Sequence, residues 1–220
     1  EDAKWTNGDP VTAHDFEYSW KRALDPKTAS YYASILYPIK GAEAFNTGEG
    51  SADDVGVKAL DDKTLEVTLE NPTAYFLELT AFYTYFPVNK NVVESNPDWA
   101  KDPSTYVSNG PFKLVEWKHN DQIVLEKNEN YYNADKIKLD GIDFDIIEDQ
   151  NTAWQKYEGG EYDILVDVPT SVVAQLKAQN DPQLNIGFQV GTYYYNVNPK
   201  FKPFNNVKVR KALSMALDRE

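Results

Sequence analysis

Gly191-Thr192-Tyr193-Tyr194-Tyr195-Asn196-Val197-Asn198, followed by Pro203-Phe204-Asn205-Asn206-Val207-Lys208-Val209-Arg210-Lys211-Ala212-Leu213, is the most informative stretch of this chain. The run from Gly191 to Asn198 is built of aromatic and β-branched types that favour an extended strand. Asn205 or Asn206 then caps a helix, because Val209, Ala212, Leu213, Ala216 and Leu217 recur at the spacing of one helix face. On a strand Tyr193 and Tyr195 share one face and Tyr194 takes the other. A tyrosine joins a broad apolar ring to a hydroxyl, which suits the wall of a cleft. A sheet with one packed and one wet tyrosine face would account for the same run.

Upstream, strands and helices are expected to alternate. Asn151 is expected to cap a short helix through Ala153, Trp154 and Tyr157, which Gly159 ends, and Tyr162–Val166 reads as a short apolar strand. Thr170 caps a helix carrying Val172, Val173 and Leu176, and a strand runs from Gln183 to Val190. That order predicts an α/β core with helices covering strands. Before it, Phe112–Trp117 and Ile123–Lys127 alternate around the His119-Asn120-Asp121 turn as a hairpin, and Leu139–Ile147 forms a further strand.

At the start of the chain, Asn7-Gly8 marks a turn, and Thr12 with Asp15 forms a capping box for a helix burying Phe16, Trp20, Ala23 and Leu24. Asp25-Pro26 ends that helix. A helical stretch follows around Ile39–Phe45, then a hairpin made of Val55–Leu60 and Thr64–Leu69. An aromatic helix is expected from Ala74 to Phe82, and a second helix ends at Asn96-Pro97.

Composition excludes several classes of function. Over 220 residues the formal net charge is −13, the opposite of what phosphate neutralisation requires, so no nucleic acid is expected as a partner. There is no cysteine, hence no disulfide, thiolate metal site or cysteine nucleophile. No apolar run approaches the roughly 18 residues of a membrane helix. His14 and His119 have no second ligand at metal-like spacing, so no metal is expected. Asp140–Asp145 has the acid content of a calcium loop, but Ile142 and Phe144 alternate as in a strand. Gly48-Glu49-Gly50 and Gly159-Gly160 lack the lysine and hydroxyl of a phosphate loop. The rival from another class is a glycoside hydrolase using two of the 35 carboxylates, yet no pair is singled out. A purely structural or interaction module explains the composition but not the motifs.

Those motifs resemble the extracytoplasmic oligopeptide- and dipeptide-binding proteins of ABC importers. The resemblance is carried by Ala3–Arg22, by Gly56–Leu69, by Val107-Ser108-Asn109-Gly110-Pro111-Phe112-Lys113-Leu114, by Ile123–Asn128, by Asn130-Tyr131-Tyr132, by the tyrosine run and by Pro203–Leu213 with Ala216-Leu217-Asp218-Arg219. It implies a mixed α/β, periplasmic-binding-protein-like fold, present in part, with an inserted α+β subdomain. By that analogy residues 1–90 are the inserted subdomain of the first lobe, 91–190 part of that α/β lobe, and 191–220 the crossover strand and first helix of the second. Both ends then read as internal to a longer chain. The implied function is capture of a peptide, without chemistry or cofactor, for delivery to an ABC permease outside the cytoplasmic membrane, either free in a periplasm or lipid-anchored. Sister branches take nickel complexes or oligosaccharides. Residue by residue, Tyr32 and Tyr194 match ligand-facing tyrosines of the family. Val166 and Asp167 match a ligand-facing segment in which the family often has polar amides. Ordinary packing would account for each of these residues as well.

Overall fold

The computed structural model describes residues 3–189 and 191–218. Glu1, Asp2, Val190, Arg219 and Glu220 lie outside the described residues, and with them both expected chain ends and the last residue of the expected Gln183–Val190 strand. The chain divides into two compact units, Glu1–Ala153 and Trp154–Glu220.

The first unit begins with the Asn7-Gly8 turn. Gly8 takes φ +91°, a left-handed conformation in which a side chain would clash with its own backbone, and its N–H donates to Trp5 O. Helix α1 (Ala13–Leu24) starts at Thr12, as expected. The Asp15 carboxylate accepts from the Thr12 N–H at 2.9 Å and from its hydroxyl at 3.1 Å. Asp15 also accepts from Trp5 Nε1 at 3.4 Å and from the Lys90 N–H at 3.3 Å, so one buried carboxylate joins three separate segments. The helix ends at Asp25.

Trp20 and Leu24, four apart on α1, face the core with Leu36, Ile39, Ala42, Val55, Val57 and Tyr85, and Phe16 and Ala23 pack against its margin. Burying a side chain of this size contributes about 1.5–3 kcal/mol. A 3₁₀ turn, Ala33–Leu36, and helix α2 (Ala42–Thr47) close one side. The expected hairpin is β1 (Val57–Asp61) antiparallel to β2 (Thr64–Val67). Beyond its ladder Gly56 approaches the other strand so closely that a Cβ would lie 2.6 Å from Thr68 O. Glu17 of α1 accepts from the Ala59 N–H at 2.8 Å and from Lys21 Nζ at 2.7 Å. Burial opposes ionisation there, but those two donors outweigh it and hold the carboxyl below its ordinary range.

The aromatic helix expected over Ala74–Phe82 is only one turn, α3 (Phe76–Leu79), followed by a 3₁₀ turn at Tyr83–Tyr85. β-Branched and aromatic residues are weak helix formers, and here they are spent on packing: Phe76 and Tyr85 meet edge to face. Helix α4 (Lys90–Ser95) is capped by Asn89, whose Oδ1 accepts from the Val92 N–H, and it stops before Pro97. A three-stranded antiparallel sheet then follows in the order β3 (Phe112–Lys118), β4 (Gln122–Lys127), β5 (Gly141–Asp145). The acidic segment is therefore strand from Gly141 to Asp145, as its alternation implied, though shorter at both ends than the expected Leu139–Ile147. Buried Asn128 donates to Gly110 O, and Asn130 donates to Thr6 O, tying this sheet to the first turn of the chain.

Helix α5 (Gln150–Glu158) spans the division between the units. Its cap is Asp149 rather than Asn151: Asp149 Oδ1 accepts from the Thr152 N–H at 2.7 Å. A carboxylate at a helix start also interacts favourably with the helix dipole, and the helix begins two residues earlier than a cap at Asn151 would place it.

In the second unit α6 (Thr170–Gln179) begins after Pro169, not after Thr170, which is its first helical residue. Helix α7 (Val207–Ala216) starts at Asn206, whose side chain accepts from the Lys208 N–H at 2.9 Å, and it ends at Ala216 with Leu217 extended. The expected strands Tyr162–Val166, Gln183–Gln189 and Gly191–Asn198 are not in β-ladders. A strand is defined by a neighbour's N–H and C=O groups, and among the described residues these segments find no such neighbour. Their apolar residues, Ile164, Ile186 and Phe188 among them, are exposed, and so are Leu213 and Leu217 of the expected apolar face of α7.

Candidate functional site

Tyr32 stands at the start of the 3₁₀ turn Ala33–Leu36, and Leu36, fully buried, roots that turn in the core. Tyr32 is therefore presented outward on a fixed base. Its ring meets Tyr31 at 5.1 Å, Phe82 at 5.3 Å and Tyr83 at 5.9 Å, each near edge to face, while Phe82 and Tyr83 stack at 4.2 Å. The cluster is not core: Tyr31 is 91%, Tyr32 43% and Tyr83 59% exposed. Local desolvation, and then the neighbouring Tyr32 phenol, push the Tyr83 hydroxyl above its ordinary pKa. Such a surface offers ring faces, ring edges and phenols.

Tyr31, Phe82 and Tyr83 were not singled out from the sequence. The signal available was two tandem aromatic pairs, Tyr31-Tyr32 and Phe82-Tyr83. Nothing in local periodicity links pairs so far apart in the chain.

Val166 lies in the second unit, 86% exposed, on the rim of a cleft of about 240 Å³. Trp154 and Tyr157, stacked at 5.5 Å, form one wall with Leu176 and Leu184, and Asp163 and Asp181 add carboxylates. Tyr157 donates its hydroxyl to Gln183 Oε1 at 3.0 Å across one end. A second space of about 510 Å³ shares Trp154, Tyr157, Asp163, Leu176, Asp181 and Gln183 with it and adds Glu158, Tyr162, Gln175 and Gln179, a volume within the range of small-molecule pockets. Asp167 follows Val166 in the chain and is exposed, but it does not line the cleft. Lys156 Nζ sits over the Tyr162 ring at 5.2 Å, and the hydrogen bond to that tyrosine, with Glu161 nearby, keeps the ammonium firmly protonated.

Tyr194 is 73% exposed, in a segment without ladder pairing. The alternation expected of the tyrosine run is present in its neighbours: the Tyr193 and Tyr195 rings meet at 5.8 Å, edge to face. Of the four residues singled out from the sequence, Tyr32 belongs to the first unit, and Val166, Asp167 and Tyr194 to the second. Among the described residues no group of three or more histidine or carboxylate side chains could hold a metal ion. No helix among them is long and apolar enough to cross a membrane.

Residues 1–220 match the family described as bacterial extracellular solute-binding proteins, family 5, middle part. The chain is 53% identical over 222 residues to the oligopeptide-binding protein OppA of Bacillus subtilis (strain 168), a match that covers 99% of this chain and 40% of that protein. It is similar to the solved structure of OppA from Burkholderia pseudomallei, with 40% identity and a TM-score of 0.93 over 99% of this chain and 43% of the other. Haemophilus influenzae OppA, solved in complex with RPPGFSPFR, is similar at 38% identity and a TM-score of 0.92, covering 99% of this chain and 43% of that one. The mixed α/β fold expected from the motifs is thus the fold of these binding proteins in part. The chain spans about two fifths of the length of the curated relatives it matches.

Proposed function

The chain belongs to the bacterial extracellular solute-binding proteins of family 5, and from that premise we propose that it forms part of a receptor that captures peptides and hands them to the permease of an ABC importer. In this reading residues 1–90 are the inserted subdomain, 91–190 part of the first α/β lobe, and 191–220 the crossover into the second. The work is done outside the cytoplasmic membrane, either free in a periplasm or with a lipid tether. Binding and release are the whole activity, with no chemistry on the ligand and no cofactor.

The observation that carries this reading is the outward-facing tyrosine run, Tyr193 to Tyr195, on backbone that has no ladder partner among the described residues. Backbone of that kind can pair with an extended peptide as a neighbouring strand would, satisfying amides and carbonyls while leaving side chains free to vary. Tyr32, Tyr194, Val166 and Asp167 are assigned to the ligand surface. Tyr32 and Tyr194 supply rings and hydroxyls, Val166 an apolar contact beside the cleft, and Asp167 a carboxylate.

The test is calorimetric titration of a protein carrying this chain at the family's full length with di- to pentapeptides, beside nickel and a simple oligosaccharide. Saturable binding of peptides alone, weakened by Tyr194→Phe or Tyr32→Phe, is the expected result. Binding of nickel or sugar in place of peptide would overturn it.

A further inference from the structure

We infer that Tyr31 and Tyr83 are specificity-determining residues that select peptides carrying an aromatic side chain, by adding the ligand's ring to the edge-to-face cluster around Tyr32. The inference rests on the peptide-binding reading above and on the assignment of Tyr32 to the ligand surface.

Four rings from two distant parts of the chain converge there, with interplanar angles of 80°, 74° and 84° between Tyr32 and its three neighbours. Edge-to-face geometry matches the positive edge of one ring to the negative face of the next, so the cluster is an ordered electrostatic arrangement and not a loose apolar patch. It remains open on its outer side. Tyr31, at 91% exposure, shows nearly all of its ring to solvent while one part of it contacts Tyr32. No cation sits over these rings among the described residues; the cation–π contacts are at Tyr18 and Tyr162.

A second observation points the same way. Ala29, two residues before Tyr31, takes φ +51°, a left-handed conformation that its Cβ makes costly. The bend is held by hydrogen bonds from the Thr28 N–H to Asp25 O at 2.9 Å and from the Ala29 N–H to Pro26 O at 3.2 Å. Behind it the Tyr85 hydroxyl donates to Ile35 O at 2.8 Å. Strain is thus accepted in the loop that leads to an exposed tyrosine pair, the pattern found where geometry serves a ligand. An incoming phenyl, phenol or indole ring completes the cluster, whereas an aliphatic side chain would fill the area without matching the quadrupole.

The experiment titrates the full-length protein with trialanine and with its analogues carrying Phe, Leu or Arg at each position in turn. At one position the Phe peptide is expected to bind about three- to tenfold tighter than the Leu peptide. Tyr31→Leu and Tyr83→Leu should bring that ratio toward one, and Tyr31→Phe should retain it. Equal binding of Phe and Leu, a preference for Arg, or a Phe preference untouched by both leucine variants would each overturn the inference while leaving the peptide reading intact. No binding of any of the peptides would overturn both. Because Tyr31 is so exposed, its variants are expected to melt as the parent does, which separates loss of selection from loss of fold.

Discussion

Trp20 Nε1 donates to the backbone carbonyl of Tyr85 at 2.8 Å, and the two rings meet edge to face at 5.1 Å. A helix near the start of the chain is thereby locked to a 3₁₀ turn 65 residues later. Trp20→Ala should cost about 3–5 kcal/mol, the range for emptying a buried aromatic site. Trp20→Phe keeps most of the ring but orphans the Tyr85 carbonyl, so a loss of about 1–3 kcal/mol is expected. Urea unfolding of the two variants, compared at constant m-value, checks both figures.

Burial pushes the Tyr85 phenol up to about 12 from its ordinary value of 10.0. With the folded value raised, folded and unfolded chains are both protonated below pH 10 and stability is fully present. Between the two values the unfolded chain loses its proton first, and stability falls as pH rises. At about 1.4 kcal/mol per unit the contribution lost is roughly 2–3 kcal/mol. Unfolding free energies measured across this window should slope downward, and the slope should be shallower in Tyr85→Phe. An unchanged slope in the variant would show that other groups carry it.

Asp15 is expected to matter beyond its helix. Asp15→Ala removes an acceptor from the Thr12 N–H and hydroxyl, from Trp5 Nε1 and from the Lys90 N–H at one stroke. Several of these donors are shielded from water, so the loss should exceed the ~1 kcal/mol of an ordinary capping substitution. Amide hydrogen exchange gives the specific readout: protection should fall at Thr12 and Lys90 together. A loss confined to the first turn of α1 would reduce Asp15 to a simple cap.

Gly56→Ala should destabilise the β1–β2 hairpin by about 1–3 kcal/mol, since the new methyl would lie 2.6 Å from Thr68 O and must push the backbone aside. Gly110→Ala, where nothing lies within 4 Å of the added carbon, is the matched control and should be far milder. Thermal melting of the pair distinguishes a packing effect from a general cost of replacing glycine.

Much of the first unit is legible in sequence because its signals are local. Thr12 with Asp15 announces the start of α1, and Phe16, Trp20, Ala23 and Leu24 announce its buried face. The two hairpins follow from alternation on either side of polar turns. The run Phe82-Tyr83-Thr84-Tyr85-Phe86 is different. All four rings are apolar enough for a core, yet Tyr85 alone is fully buried while Tyr83 and Phe86 face solvent. The Trp20 N–H and the Ile35 carbonyl decide between them, and neither is near in sequence.

The same division runs through the residues proposed for the ligand surface. Tyr32 and Tyr194 are recognisable from family motifs, and the shared face of Tyr193 and Tyr195 from strand alternation. The partners of Tyr32 are not, because tandem aromatics carry no record of which distant pair they will meet.

By itself the sequence determined where α1 and α7 begin, which face of α1 is apolar, where the hairpins turn and to which family the motifs belong. Each of these depends on neighbours within a few residues, where backbone geometry and side-chain period leave few choices. The tertiary structure alone decided that Asp149 and Pro169 precede α5 and α6, that Tyr85 fills the core, and that Tyr31, Phe82 and Tyr83 surround Tyr32. It also decided that Tyr162–Val166, Gln183–Gln189 and Gly191–Asn198 have no ladder partner among the described residues. Ring clusters and β-ladders are relations between distant segments, and a strand-forming composition becomes a strand only when another backbone supplies the other half of its hydrogen bonds.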